Sequence, residues 1–168
     1  MPPLKVNDQV VHSAHGIGRV VGLVTRQFGA EARRYYEISI ERSTVWVPVD
    51  SDLPPELRLL TTQGELAHYR AILQGQPVSL TADHRQRRLD VSALLRTSSF
   101  QTLCELVRDL TARGWVKALG ETDAAALRRA RERLGREWAV ADGVGQLAAI
   151  AEIDELLGLG QQRHARAA

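Results

Sequence analysis

The sequence predicts an α+β chain: a curled, five-stranded antiparallel β-domain followed by an all-α domain of about five helices. Three observations carry this prediction. Between residues 6 and 60, apolar and polar side chains alternate with the two-residue period of a half-buried strand. After Thr61 the apolar spacing lengthens to three and four residues, the period of a helix. Glycine, proline and capping residues punctuate both halves where such elements must end. The boundary is expected near residue 62, giving domains of 1–62 and 63–168.

Glycines and β-branched residues crowd the run from Gly16 to Val24, which reads as a long, strongly bent strand. Gly29-Ala30-Glu31 is a hairpin turn between two strand-like runs. Tyr36, Ile38 and Ile40 then alternate with Tyr35, Glu37, Ser39 and Glu41. Val45, Val47 and Val49 alternate with Thr44, Trp46 and Pro48. Asp52-Leu53-Pro54-Pro55 is expected as a loop, because proline removes a ladder donor. In the second half, Glu65 to Leu73 forms a short helix stopped by Gly75 and Pro77, and a second helix runs from about Asp83 to Leu95. Ser98 with Gln101 makes a capping-box pattern ahead of the stripe Phe100, Leu103, Val107 and Leu110, which ends near Gly114. Thr122 is expected to cap a longer helix to about Ala141, burying Leu127, Ala130, Leu134 and Trp138. Gly143 breaks it, and Leu147, Ile150, Ile153, Leu156 and Leu157 mark a last amphipathic helix. The polar tail from Gln161 is expected to fray.

Length and composition bound the function. The 168 residues suffice for one domain or two small ones. Charged residues are 25% and hydrophobic residues 44%, the mix of an ordinary soluble protein. A formal charge of +2 does not announce nucleic acid, so any basic excess must be local. One cysteine excludes an internal disulfide framework and a cysteine metal cluster. No signal-peptide run opens the chain, and no stretch nears the ~18 apolar residues of a membrane span. A cytoplasmic location and no cofactor are expected.

Enzymatic signals are weak. The phosphate loop of ATP-driven proteins is absent. Gly16-Ile17-Gly18 lacks the third glycine and following helix of a dinucleotide site. His12 and His15 have no acidic or cysteine partner at useful spacing, which favours turn and strand-end residues over metal ligands. Cys104 lies on an apolar stripe and reads as a small core residue. No nucleophile has a base and orienting group beside it.

Two features point to binding instead. Trp46 falls on the strand face opposite Val45, Val47 and Val49. It is either an exposed interface anchor or part of a second buried layer where the sheet curls, and the pattern leaves both open. His84-Arg85-Gln86-Arg87-Arg88 places three arginines within one turn, donors suited to phosphate oxygens. The competing reading is a solvated surface. A helix start disfavours cations, which weighs slightly toward a functional reason for them. The basic run over residues 128–133 is diluted by Glu132 and reads as a solvated face.

Residues 4–20, LKVNDQVVHSAHGIGRV, resemble the opening of the CarD/CdnL family of bacterial RNA polymerase-binding regulators. So do Tyr35-Tyr36-Glu37-Ile38, Val45-Trp46-Val47-Pro48-Val49 and Leu57-Arg58. This half also resembles the polymerase-interacting domain of the transcription-repair coupling factor. Glu105-Leu106-Val107-Arg108-Asp109-Leu110 and residues 125–138 resemble the family's helical domain. The resemblance implies a Tudor-like β-domain that docks on the β-subunit lobe of RNA polymerase. It places Thr25, Arg26, Phe28 and Trp46 at that contact, which favours an exposed Trp46. It also implies a helical domain that meets promoter DNA at the upstream edge of the bubble, with His84, Arg85, Arg87 and Arg88 as contacts. The family wedges a tryptophan into the minor groove there, and here the aligned residue is His84. Histidine is smaller and more polar, hence a poorer wedge. Trp115 and Trp138 do not align with the wedge and read as packing residues. The expectation is a monomeric transcription regulator that keeps its polymerase contact and has an altered grip on DNA. The alternative is an interaction module without functional DNA contact, and an enzyme comes third.

Overall fold

A computed structural model describes residues 4–49, 56–97 and 99–167. The chain divides into two compact units, Met1–Leu60 and Thr61–Ala168.

The described residues of the first unit form one antiparallel sheet of five strands: β1 Gln9–His12, β2 Gly16–Phe28, β3 Glu31–Ile40, β4 Ser43–Pro48 and β5 Leu57–Leu59. Their order is β4-β3-β2-β1-β5. Residues Gly16 to Arg19 of β2 pair with β1, and from Arg19 onward β2 pairs with β3. One strand can serve two partners because it bends, and the register slips between Val20 and Gly22 as a bulge. Gly18 sits at the crowded inner side of that bend. A Cβ there would lie 2.6 Å from Ile40 Cγ1 and 2.9 Å from the Ser39 carbonyl. The β2–β3 hairpin turns through Gly29, whose φ of 72° is the conformation glycine adopts without strain. Alternation along β3 buries Tyr36, Ile38 and Ile40 against Leu4, Val10, Val20, Val47 and Leu57. Burying one such side chain stabilises by roughly 1.5–3 kcal/mol, so this small core depends on every member. The expected loop at residues 52–55 lies outside the described residues.

Among the described residues the second unit holds a 3₁₀ turn, Gln63–Glu65, and five helices: α1 Leu66–Gln74, α2 His84–Arg96, α3 Phe100–Val116, α4 Glu121–Asp142 and α5 Gln146–Ala167. Thr62 and Glu65 form a reciprocal capping box at its start. Asp83 caps α2 by accepting the Gln86 N–H at 2.7 Å. The cap expected of Ser98 lies outside the described residues. Ser99 caps α3 instead, accepting from Thr102 N–H at 3.2 Å, while Gln101 donates to Glu105. Thr122 is not a cap. The cap is Gly120, two residues earlier, so the helix begins at Glu121 and Thr122 sits inside its first turn. Gly143 closes α4 in the left-handed region with φ 68°, as its position predicted.

The core is a layer of leucines, valines and isoleucines around Phe100 and Trp138. Leu147 is a correction: it is 85% exposed, and Ala149 occupies the buried position. The tail is a second correction, since α5 stays helical through Ala167. Its Gln, Arg and Ala residues are helix formers without a breaker, and the His164 ring packs near Trp115 at 6.2 Å. Among the described residues, buried polar side chains are paired. Glu137 accepts the Thr61 N–H at 3.1 Å, and Glu152 accepts from both Arg70 at 2.5 Å and Trp138 Nε1 at 2.9 Å. That hydrogen bond from Arg70 to Glu152, aided by Asp142, holds its guanidinium even more firmly charged than usual.

Candidate interaction surfaces

The outward face of the sheet is fixed by register. Since Tyr36, Ile38 and Ile40 point inward, Tyr35 and Glu37 point out. Trp46 pairs with Glu37, Val24 and Pro48 pair with Tyr35, and Arg26 pairs with Arg33. Trp46 therefore stands on the outer face, where it is 42% exposed. The Arg26 guanidinium lies over its ring, 4.0 Å from the centroid. Such stacking holds a cation without hiding its donors. Phe28 is 68% exposed on the same face and meets the Tyr35 ring edge-on at 5.9 Å. Thr25 does not join them. It pairs with Arg34, which alternation places on the opposite face. Tyr35, Pro48 and Arg33 were not singled out from the sequence, although the two-residue period that placed Trp46 places them too.

The basic start of α2 is less uniform than its sequence. Arg85 and Arg88 are exposed, and neither forms an ion pair with another described residue. Arg87 is turned inward and is only 5% exposed. Its Nε donates to Asp123 at 3.0 Å, and its Nη1 donates to the Thr81 and Ala82 carbonyls at 2.9 and 3.0 Å. Asp123 also faces Arg113 at 3.5 Å. Arg87 thus ties the segment before α2 to α4, and its donors are already engaged. The exposed His84 has its Nδ1 3.4 Å from Arg87 Nη2. Leu89 is 55% exposed, one turn after Arg85 on the outward side of the helix.

The basic run on α4 mixes roles as well. Arg128 and Arg129 are exposed, Arg131 pairs with Asp154, and Arg133 donates to the Leu95 and Thr97 carbonyls. The expected solvated face is therefore also an interhelix tie.

His12 ends β1 and His15 sits in the following turn, their ring centroids 4.7 Å apart. His12 Nδ1 accepts the Ala14 N–H at 3.1 Å, a bond that closes the turn. Burial, and next the facing His15, lower its pKa below the usual value, against a smaller pull upward from Glu56. Among the described residues no three His, Cys, Asp or Glu side chains are grouped to hold a metal ion. Nor is any described helix long and apolar enough to cross a membrane. Cys104 is buried in the helical core.

Residues 4–52 match the CarD-like/TRCF RID domain family, and residues 69–154 match the CarD C-terminal domain family. Over 142 residues the chain is 29% identical to a Bacillus subtilis (strain 168) protein named "Putative transcription factor YdeB". That alignment covers 83% of this chain and 93% of the other.

Proposed function

This chain belongs to the CarD family, and on that premise we propose that it regulates transcription by binding RNA polymerase through the outer face of its β-unit. The observation that carries the reading is the exposed Arg26–Trp46 stack beside Phe28. A large aromatic and an arginine are the residue types that most often anchor an interface. The partner surface is the lobe of the polymerase β subunit, with Arg26, Phe28 and Trp46 at the contact and Thr25, on the opposite face, outside it. A pull-down of the full chain on the isolated lobe tests this. Trp46→Ala and Arg26→Glu should each abolish retention, and undiminished retention of both would sink the assignment.

The helical unit contacts promoter DNA at the upstream edge of the bubble through His84, Arg85 and Arg88 and so modulates the open complex. Arg87 serves this contact by holding α2 in place, since its own donors are engaged internally. A second reading has support from that same burial: with Arg87 turned inward, only Arg85 and Arg88 are exposed in the basic run at the start of α2, and the chain acts on polymerase without functional DNA contact. Footprinting of promoter complexes separates the two. Protection at the upstream bubble edge that disappears in the Arg85→Ala/Arg88→Ala variant supports the DNA contact, and identical footprints with and without the protein support the second reading.

A further inference from the structure

A groove of about 430 Å³ lies between the end of α3, the first half of α4 and the second half of α5. Its floor is apolar: Trp115, Leu119, Leu127 and Leu157. Trp115, Leu119 and Leu127 are each only partly covered, so the groove is open. Its rim is charged. Arg131 and Asp154 neutralise each other there, whereas Arg128 is exposed and forms no ion pair with another described residue. The groove therefore carries one uncompensated cation over an apolar floor.

Gly158 is a second, independent sign. It lies inside α5, where glycine is a poor helix former. No packing constraint demands it, because a Cβ built there meets nothing within 4 Å. That contrasts with Gly160 two residues on, where a Cβ would lie 3.3 Å from the Leu73 and Gln74 carbonyls of α1. Gly160 is explained by helix contact. Gly158 faces open space and lines the groove, so its effect is to keep that wall clear.

We propose that this groove binds an amphipathic organic anion, its apolar body against Trp115 and the leucines and its acid group on Arg128. The volume falls in the range of small-molecule sites. The uncompensated guanidinium selects an anion, since a cation would meet a like charge there while the rim carboxylate of Asp154 is already paired with Arg131. Nothing in this proposal depends on the polymerase or DNA contacts.

The probe is 8-anilinonaphthalene-1-sulfonate, an aromatic sulfonate whose emission rises in apolar surroundings, titrated into the folded full-length chain. Saturable binding at about one site per chain is expected, with decanoate competing. Gly158→Leu should abolish binding by filling the groove. Arg128→Glu, on the exposed rim where folding is not at risk, should weaken it by at least about tenfold. Leu147→Ser removes a large exposed apolar group outside the groove and should change nothing. Absence of saturable binding overturns the proposal. So does binding that survives Gly158→Leu or fails in Leu147→Ser, because the probe then sits elsewhere. Equal affinity for wild type and Arg128→Glu overturns the ligand class.

Discussion

Arg87 and Arg88 are neighbours in the chain with opposite roles. Arg87 sits four residues before the buried Val91, on the inward side of α2, and is held by Asp123 and two carbonyls. Arg88 is exposed. Replacing Arg87 by methionine keeps bulk but leaves the buried Asp123 with only Arg113 nearby. Breaking a buried pair from one side costs about 3–5 kcal/mol, and the remaining Arg113 moves the expectation to about 3. Arg88→Met should stay within about 0.5 kcal/mol, the range of ordinary surface changes. Urea unfolding of the two variants decides it, and equal midpoints would mean that Arg87 is no brace. On the other unit, Trp46→Ala removes both an apolar anchor and the platform under Arg26. A central interface aromatic contributes at least about 2 kcal/mol on truncation, roughly thirtyfold in affinity for the polymerase lobe. Phe28→Ala, nearer the hairpin tip, should lose less. Surface plasmon resonance on the immobilised lobe would show whether that order holds.

At the scale of elements, α2 and the β1–β2 turn each yield a measurable dependence on solution conditions. Each phosphate contact steepens the salt dependence of DNA binding by roughly 0.9. With Arg87 buried, the double variant Arg85→Ala/Arg88→Ala should flatten the log–log slope by about 1.8, and Arg87 adds nothing directly. An unmoved slope would make the patch a solvated face. The β1–β2 turn depends on His12 Nδ1 accepting a hydrogen bond, which a protonated Nδ1 cannot do. Its folded pKa lies below 6.5, so the unfolded chain binds the proton first as pH falls. The stabilisation is complete above about pH 6.5 and declines as pH drops toward the depressed folded value. His12→Asn keeps an acceptor for Ala14 without titrating there. Thermal melts at pH 7.5 and 5.5 should show a smaller acid loss for the variant than for wild type. These elements also show what sequence could and could not reveal. Alternation gave the face of Trp46 and the β3 core because a strand has only two faces, but it left open whether that second face is covered, which the 42% exposure of Trp46 answers. Helix phase is less forgiving. Leu147 precedes Ile153 by six residues, which puts it about 120° off the buried stripe, and apolar character alone hid that offset. The same periodicity, applied to Arg87, Val91 and Leu94, would have placed this arginine inward. Its partner Asp123 lies on another helix, and no local pattern carries that contact.

At the scale of the whole molecule, two modest contacts on one chain are expected to act together. In the proposed DNA contact the basic start of α2 offers two exposed arginines, Arg85 and Arg88, so the hold of the helical unit on DNA alone is expected to be weak and largely independent of sequence. Anchoring the β-unit to polymerase would make the second contact intramolecular, at an effective concentration on the order of mM for two sites close together on one chain. A contact with a dissociation constant near that value is then about half occupied on the polymerase, although it would be negligible in free solution. This makes the sensitive variable the intrinsic strength of the DNA contact. His84→Trp offers a larger apolar surface for the minor groove than imidazole does, at the position that the family resemblance proposes for the wedge. Open promoter complexes should therefore live longer with His84→Trp than with the wild-type chain, in a competitor-challenge decay assay. The same substitution combined with Trp46→Ala should return the lifetime to that of polymerase alone, because the DNA contact loses its anchor. If His84→Trp lengthens the lifetime equally with and without Trp46, the helical unit grips DNA unaided and the tethered reading is wrong. If the single variant changes nothing while still binding the lobe, residue 84 does not reach the DNA, and the inward contact of His84 with Arg87 is its whole role.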